Sequence, residues 1–269
     1  MSAVRERKGF FTDTTVCIGC KACEVACKEW NQLPDDGLVF TAMSYDNTAA
    51  LGASTWRHVV FVERPVAFGS QETSDGQFSW LMMSDVCKHC QRAGCLENCP
   101  TGAIVRTEFD TVYVQPDICN GCGYCVAGCP FGVIDRREDD GRAWKCTLCY
   151  DRLKGDLEPA CAKACPTNSI QFGDLDELRV RAEERVATLH SRGVDRAYLY
   201  GVDAEHQPGT EGLNAFFLLV DRPEVYNLPP DPVAPAKKAR SAWLSMAVAG
   251  VGMLAAAMGA VLSAREGRR

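Results

Sequence analysis

Sixteen cysteines are the residues of this 269-residue sequence whose type and spacing could do chemistry. They form four groups of four with none left over. In sequence order, the groups are Cys17, Cys20, Cys23 and Cys27; Cys87, Cys90, Cys95 and Cys99; Cys119, Cys122, Cys125 and Cys129; and Cys146, Cys149, Cys161 and Cys165. Cysteines spaced this closely are seldom placed to form disulfides with each other, and the chain is too long for a small disulfide-stapled domain. The pattern therefore favours thiolates that bind metal.

The first and third groups share the spacing C-x2-C-x2-C-x3-C, which is the ligand run of bacterial ferredoxins. Three thiolates on a tight loop reach one iron–sulfur cubane, and the fourth starts a helix that leads to another. Small residues such as Gly19, Gly121 and Gly123 allow backbone N–H groups to approach the sulfides and stabilise their negative charge. The second and fourth groups have longer loops before their third cysteine, but each can still supply three ligands to one cubane and one to a neighbour.

A single C-x2-C pair would instead indicate zinc. Zinc sites combine two such pairs, and they lack a regular fourth cysteine followed by proline. Three of the four groups here end in Cys-Pro, at Cys99, Cys129 and Cys165. Iron–sulfur clusters are therefore the favoured interpretation, and the alternative from another class is a membrane-anchored, zinc-binding structural protein.

The remaining composition predicts no substrate chemistry. Hydrophobic residues make up 46% and charged residues 24%, as in a globular protein, and the net charge of −6 gives no basic excess for binding nucleic acid. No nucleotide loop, nucleophile elbow or acid pair stands out. His89 lies inside a cysteine loop, but the thiolate count is complete without it. We therefore predict no catalytic residue.

The elements that must position the cysteines are short. Residues 1–16 read as an extended lead-in, with Phe10 and Phe11 as anchors. Alternating or continuous apolar runs predict strands at 56–62, 78–83, 103–106, 111–114 and 214–220. Apolar residues at helical spacing behind Asp174, a plausible N-cap, predict an amphipathic helix that ends near Gly193.

The C-terminal part of the sequence predicts a membrane helix. Residues 241–264 carry no charge and would span about 35 Å as a helix, enough for a bilayer core, although a buried core helix is the alternative. Basic residues flank both sides, so the positive-inside rule is nearly balanced. The preceding residues 221–240 contain five prolines and predict a stiff extended linker. The N-terminus is charged and does not read as a secretory signal.

These features predict an α+β fold of two nested, bacterial-ferredoxin-like modules, each for two [4Fe–4S] clusters, with β-hairpin insertions and one C-terminal transmembrane helix. The predicted segments are 1–86 with 140–220 for the first module, 87–139 for the second, 221–240 for the linker, 241–264 for the transmembrane helix and 265–269 for a basic tail.

The cysteine motifs and their surroundings resemble a known family. The stretches that carry the resemblance are CIGCKACEVACKEWN, STWRHVVF, CKHCQRAGCLENCPTGAI, CNGCGYCVAGCPFGV, WKCTLCYDRL and EPACAKACPTNSIQFG. They are similar to the four-cluster iron–sulfur subunits that accompany molybdopterin oxidoreductases, and most of all to the β subunit of membrane-bound, respiratory formate dehydrogenase. The first insertion and the terminal helix favour formate dehydrogenase over its relatives, whereas the short basic tail departs from the longer acidic tails of related subunits.

The resemblance implies four [4Fe–4S] clusters and a pairing of ligands in which the last cysteine of each group crosses over. The implied sets are Cys17, Cys20, Cys23 and Cys165 (cluster a); Cys27, Cys146, Cys149 and Cys161 (cluster b); Cys87, Cys90, Cys95 and Cys129 (cluster c); and Cys99, Cys119, Cys122 and Cys125 (cluster d).

The resemblance also implies a function and partners. A catalytic subunit with a molybdenum or tungsten bis-pterin would oxidise formate, and electrons would pass through this subunit to a membrane cytochrome b and then to quinone. The soluble body would lie on the periplasmic side of the inner membrane, exported with its partner. The same module could instead serve a polysulfide, thiosulfate or dimethyl sulfoxide reductase, or a hydrogenase.

Overall fold

Ten strands and seven α-helices lie in the part of the chain that the computed structural model describes, residues 7–37, 42, 45, 46, 48–64 and 79–266. The strands are β1 (Lys8–Asp13), β2 (Arg57–Arg64), β3 (Ser79–Val86), β4 (Ile104–Arg106), β5 (Val112–Val114), β6 (Asp135–Arg136), β7 (Ala143–Trp144), β8 (Ile170–Asp174), β9 (Tyr198–Tyr200) and β10 (Ala215–Leu219). The α-helices are α1 (Ala22–Trp30), α2 (Gly94–Glu97), α3 (Tyr124–Gly128), α4 (Tyr150–Leu153), α5 (Ala160–Lys163), α6 (Leu175–Ser191) and α7 (Pro235–Glu266). The chain divides into two units, Met1–Ala234 and Pro235–Arg269.

A four-stranded sheet in the order β8-β1-β10-β9 joins distant parts of the first unit. β1 lies at its centre, antiparallel to β8 and parallel to β10. Phe11 of β1 stacks on Phe216 of β10, with ring centroids 5.4 Å apart, and both side chains are fully buried. Residues 8–13 are therefore a core strand and not the extended lead-in that the sequence indicated, because their pairing partners lie more than 150 residues away.

Helix α6 covers one face of this sheet. The Asp174 side chain accepts hydrogen bonds from the backbone N–H groups of Asp176 and Glu177, which satisfies donors that a helix start leaves free. Leu178 and Ala182 are fully buried at helical spacing. The helix lies where the apolar periodicity predicted it, and the chain leaves it near Gly193, which has a positive φ of 81°.

Three two-stranded sheets surround the cysteine groups. β2 pairs antiparallel with β3 from Arg57↔Val86 to Arg64↔Ser79, and the segment between these strands lies outside the described residues. β4 pairs with β5, and β6 with β7, each antiparallel. The sequence predicted strands at the first four positions, whereas the two-residue strands β6 and β7 gave no periodic signal.

The second unit is dominated by α7, whose 32 residues correspond to a length of about 48 Å. The stretch Pro235–Gly259 is long and apolar enough to cross a membrane by length and composition. The helix begins at Pro235 and not at Ser241, so the end of the predicted extended linker is helical. Proline is tolerated at the first helical position, because its missing N–H would be unpaired there in any case.

Candidate metal centres

Three cavities in the first unit are each lined by four cysteines. Site A is lined by Cys17, Cys20, Cys23 and Cys165. Site C is lined by Cys87, Cys90, Cys95 and Cys129. Site D is lined by Cys99, Cys119, Cys122 and Cys125. In each of these sites, the structure brings together the cysteines that the family resemblance had grouped.

The remaining four cysteines converge at a fourth place, called site B. Burial raises the pKa of the Cys27 thiol, and the neighbouring thiols of Cys146, Cys161 and Cys149 raise it further. Cys27 lies on α1 and Cys161 on α5, and these two helices pack against each other. All four members of site B are buried.

The four C-x2-C loops share one backbone feature. The residue directly before the second cysteine has a positive φ in every loop: 65° at Gly19, 45° at His89, 72° at Gly121 and 56° at Leu148. Glycine reaches this conformation without steric cost, but histidine and leucine do not. The repeated geometry therefore identifies four equivalent ligand loops, two of which carry strain that the surrounding structure must hold.

The donor set fits an iron–sulfur cluster better than a single ion. Among the described residues, no three His, Cys, Asp or Glu side chains converge closely enough to hold one metal ion. The thiols instead line shared cavities four at a time, whereas one tetrahedral zinc draws its thiolates together through Zn–S bonds of about 2.3 Å.

Several of the buried thiols are poor anions by themselves. Burial raises the pKa of Cys95 to about 12, with the thiols of Cys87 and Cys129 adding to the effect although Lys145 opposes it. Burial likewise raises the pKa of Cys23 to about 12. Because metals bind the thiolate form, bound iron must supply the positive charge that makes these side chains ionise.

Three fully buried cations stand among the thiols: Arg57, Lys88 and Lys145. Burial by itself lowers the pKa of Lys145, but the thiols of Cys87 and Cys95 outweigh it and raise that pKa above its usual value. A buried cation is costly unless an anion compensates it. Sequence reasoning missed all three residues, although Lys88 lies inside a cysteine loop and Lys145 directly precedes Cys146.

His89 lines site C, and one of its two ring nitrogens is already paired. Its Nδ1 accepts a hydrogen bond from the backbone N–H of Val112 at 3.1 Å. Burial lowers the pKa of His89 well below its usual range, and the charges of Lys145 and Arg106 lower it further, so the imidazole is neutral.

Two of the sixteen cysteines, Cys20 of site A and Cys122 of site D, are exposed. Apolar side chains lie near both in the sequence: Ile18 is 58% exposed, and Ile118 and Tyr124 are 48% and 64% exposed. The members of sites B and C are buried, except for Cys129, which is half-buried. Sites A and D are therefore the two that reach the surface.

Interactions between thiols of different sites give the four sites an order. Cys23 of site A lies near Cys161 of site B, Cys146 of site B near Cys87 of site C, and Cys95 of site C near Cys125 of site D. The sites thus follow one another as A, B, C and D, with the two exposed sites at the ends.

Two family models, each described as a 4Fe-4S dicluster domain, match residues 16–103 and 78–175. The formate dehydrogenase iron–sulfur subunit of Haemophilus influenzae is 43% identical over 82% of this chain and 68% of its own length. The nitrate-inducible formate dehydrogenase iron–sulfur subunit of Escherichia coli is 42% identical over 82% of this chain and 71% of its own length. The B subunit of the anaerobic dimethyl sulfoxide reductase of Escherichia coli is 33% identical over 64% of this chain and 75% of its own length.

Gly121 offers a test of the ligand loops. A Cβ at Gly121 would clash with the Gly141 carbonyl oxygen, whereas Gly132 has a similar positive φ of 63° and no atom within 4 Å of its Cβ position. Both alanine variants incur roughly 1–2 kcal/mol of backbone strain. We expect Gly121→Ala to lose about four irons, the content of one [4Fe–4S] cluster, and Gly132→Ala to keep them. Iron and acid-labile sulfide assays on anaerobically purified protein measure this, and equal iron in both variants would contradict the steric account.

Proposed function

Because this protein belongs to the family of formate dehydrogenase iron–sulfur subunits, we propose that it holds four [4Fe–4S] clusters in the row A, B, C and D and conducts electrons along it. It is an electron-transfer subunit and not a catalytic one, and it binds 4Fe–4S clusters. The dimethyl sulfoxide reductase subunit is a more distant relative, with 33% identity against 43%, so formate dehydrogenase is the favoured complex.

The single observation that carries the proposal is the gathering of cysteines into separate sets of four. We assign the ligands of clusters a, b, c and d to sites A, B, C and D in turn. In each site, three cysteines come from one sequence group and the remaining one from another group, as with Cys165 beside Cys17 in site A. This crossing-over supports two nested modules, with sites A and B in one and sites C and D in the other.

When bound, a [4Fe–4S] cluster accepts and donates one electron. The residues of this chain supply the ligands and exclude water, since sites B and C are lined almost wholly by buried side chains. Backbone N–H groups also approach the sulfurs: the N–H of Leu148 lies 3.3 Å from Cys146 Sγ, and that of Ala143 lies 3.4 Å from Cys119 Sγ. Such donors stabilise added negative charge and favour the reduced cluster.

The exposed ends of the row are the places where electrons enter and leave. Cys20 and its neighbour Ile18 form one end, and Cys122 with Ile118 and Tyr124 forms the other. The relatives are subunits of multi-subunit oxidoreductases. We propose that a catalytic subunit with a molybdenum or tungsten bis-pterin contacts one end and a membrane cytochrome b the other, with quinone as the final acceptor.

We further propose that α7 anchors the protein in the inner membrane, with the body on the periplasmic side. The stretch Pro235–Gly259 has the length and composition of a membrane span. Lys237 and Lys238 near its start are well placed for the polar headgroup region.

The ligand assignment predicts a specific pattern of cluster loss. Cys17→Ala and Cys165→Ala should each remove or degrade one cluster, and their combination should cost no further cluster, because both thiols serve site A. Combining Cys165→Ala with Cys146→Ala should cost about two. Mössbauer spectra of the intact clusters in the purified complex distinguish the pairs. If the Cys17/Cys165 double variant lost as much as the Cys146/Cys165 double variant, the assignment would be wrong.

The membrane proposal predicts the behaviour of a truncated protein. Ala234 is buried and its N–H donates to the Gly209 carbonyl oxygen at 3.1 Å, so the body keeps its last contact when residues 235–269 are deleted. The shortened protein, produced without the other subunits, should move from the membrane to the soluble fraction. Deleting only the tail 265–269 should leave it membrane-bound. Membrane retention of the longer truncation would contradict the anchor.

A further inference from the structure

Arg57 is a fully buried cation that the electron-transfer function does not by itself explain. It opens β2 and is 1% exposed. Within the described part of the protein it has no carboxylate within salt-bridge distance, and its guanidinium lies over the Phe10 ring at 4.8 Å. Its polar neighbours are therefore thiols together with the hydroxyl and the backbone carbonyl of Ser84.

The contacts of Arg57 connect two sites. Its Nη2 donates to Cys161 Sγ of site B at 3.1 Å. Its Nη1 lies 3.3 Å from the Ser84 carbonyl oxygen and 3.4 Å from Ser84 Oγ. Ser84 Oγ in turn lies 3.1 Å from Cys23 Sγ of site A, within hydrogen-bond distance. A continuous polar path thus runs from a thiol of one site to a thiol of the next.

The positive charge of Arg57 affects the clusters at both ends of this path. A guanidinium stays protonated in proteins, so Arg57 carries a fixed positive charge at this position. A charge acts more strongly in a dry interior than in water. Reduction adds negative charge to a cluster, so a fixed cation beside its ligands favours the reduced form and raises the reduction potential.

Resting on the proposed function and its ligand assignment, we propose that Arg57 is a positioning residue shared by the clusters of sites A and B. It acts on site A through Ser84. Its charge holds the reduction potentials of both clusters above the values that they would have beside a neutral side chain.

Lys145 provides an internal comparison, because it occupies the next boundary along the row. It is fully buried, its Nζ donates to the Cys146 carbonyl oxygen of site B at 2.9 Å, and it lines the cavity of site C. If each buried cation acts only on its neighbours, loss of Lys145 must lower the reduction potentials of the clusters in sites B and C. Loss of Arg57 must lower those of the clusters in sites A and B.

The test is an EPR-monitored redox titration of the intact complex, purified anaerobically and assayed for iron. In Arg57→Gln we expect two of the four cluster midpoint potentials to fall while the other two stay. Lys145→Gln should also lower two midpoint potentials, and one of these should be among the two that fall in Arg57→Gln. Arg57→Lys keeps the charge and should recover most of the shift. Arg179→Gln is the matched control: this arginine pairs with Asp176 on α6, lines none of sites A, C and D, and should move no midpoint.

Ser84→Ala interrupts the path to site A. It should lower the midpoint potential of the cluster in site A and leave that of the cluster in site B unchanged. It also decides the matter if Arg57→Gln loses iron, since it leaves the guanidinium in place. Unchanged midpoints in Ser84→Ala and in an iron-replete Arg57→Gln, or an equal fall of all four, would overturn the inference. A wild-type complex with fewer than four clusters would overturn the proposed function itself, which the iron assay detects before any variant is compared.

Discussion

This protein must hold negative charge in a dry interior, and the placement of its loops and buried cations follows from that. Most of the cysteines are buried or half-buried, and burial raises the pKa of several of them well above the ordinary range of a thiol. Such groups ionise only if positive charge lies close to them. Iron would supply most of it, and the buried side chains of Arg57 and Lys145 add to it, whereas buried Lys88 forms an ion pair with Asp85. Arg57 and Lys145 therefore act together with iron on the thiols around them, because each opposes the rise in pKa that burial causes.

In this fold most ligands lie on loops and at the ends of short helices, and the longer regular elements pack beside them. Each C-x2-C loop turns through a residue of positive φ, which directs two thiols and nearby N–H groups toward one cavity. The sheet β8-β1-β10-β9 and helix α6 form an apolar layer that contains few ligands. Pairing of β1 with both β8 and β10 brings the N-terminal strand next to residues 170–219. Cys165, five residues before β8, thereby reaches the loop that begins at Cys17, four residues after β1.

Local sequence was informative where local chemistry decides the outcome. The cysteine spacing predicted four sites, and the 3.6-residue periodicity behind Asp174 predicted α6, because loop geometry and capping depend on near neighbours. The central position of β1 could not be predicted, since it depends on parallel pairing with residues 215–218. The positive φ of Leu148 could not be predicted either, because a leucine does not indicate this conformation. Glycine does, and it occupies the same position in two of the other loops. The sequence also gives no sign that Arg57 is buried, because an arginine in a predicted strand is normally exposed.

Quantitative iron and acid-labile sulfide analysis of the anaerobically isolated complex, after subtraction of the partner subunits' share, shows whether the thiol sites hold [4Fe–4S] clusters. Four cubanes require roughly sixteen irons and as many sulfides on this subunit, which is the predicted result. Zinc in place of iron, or iron without acid-labile sulfide, would contradict the account.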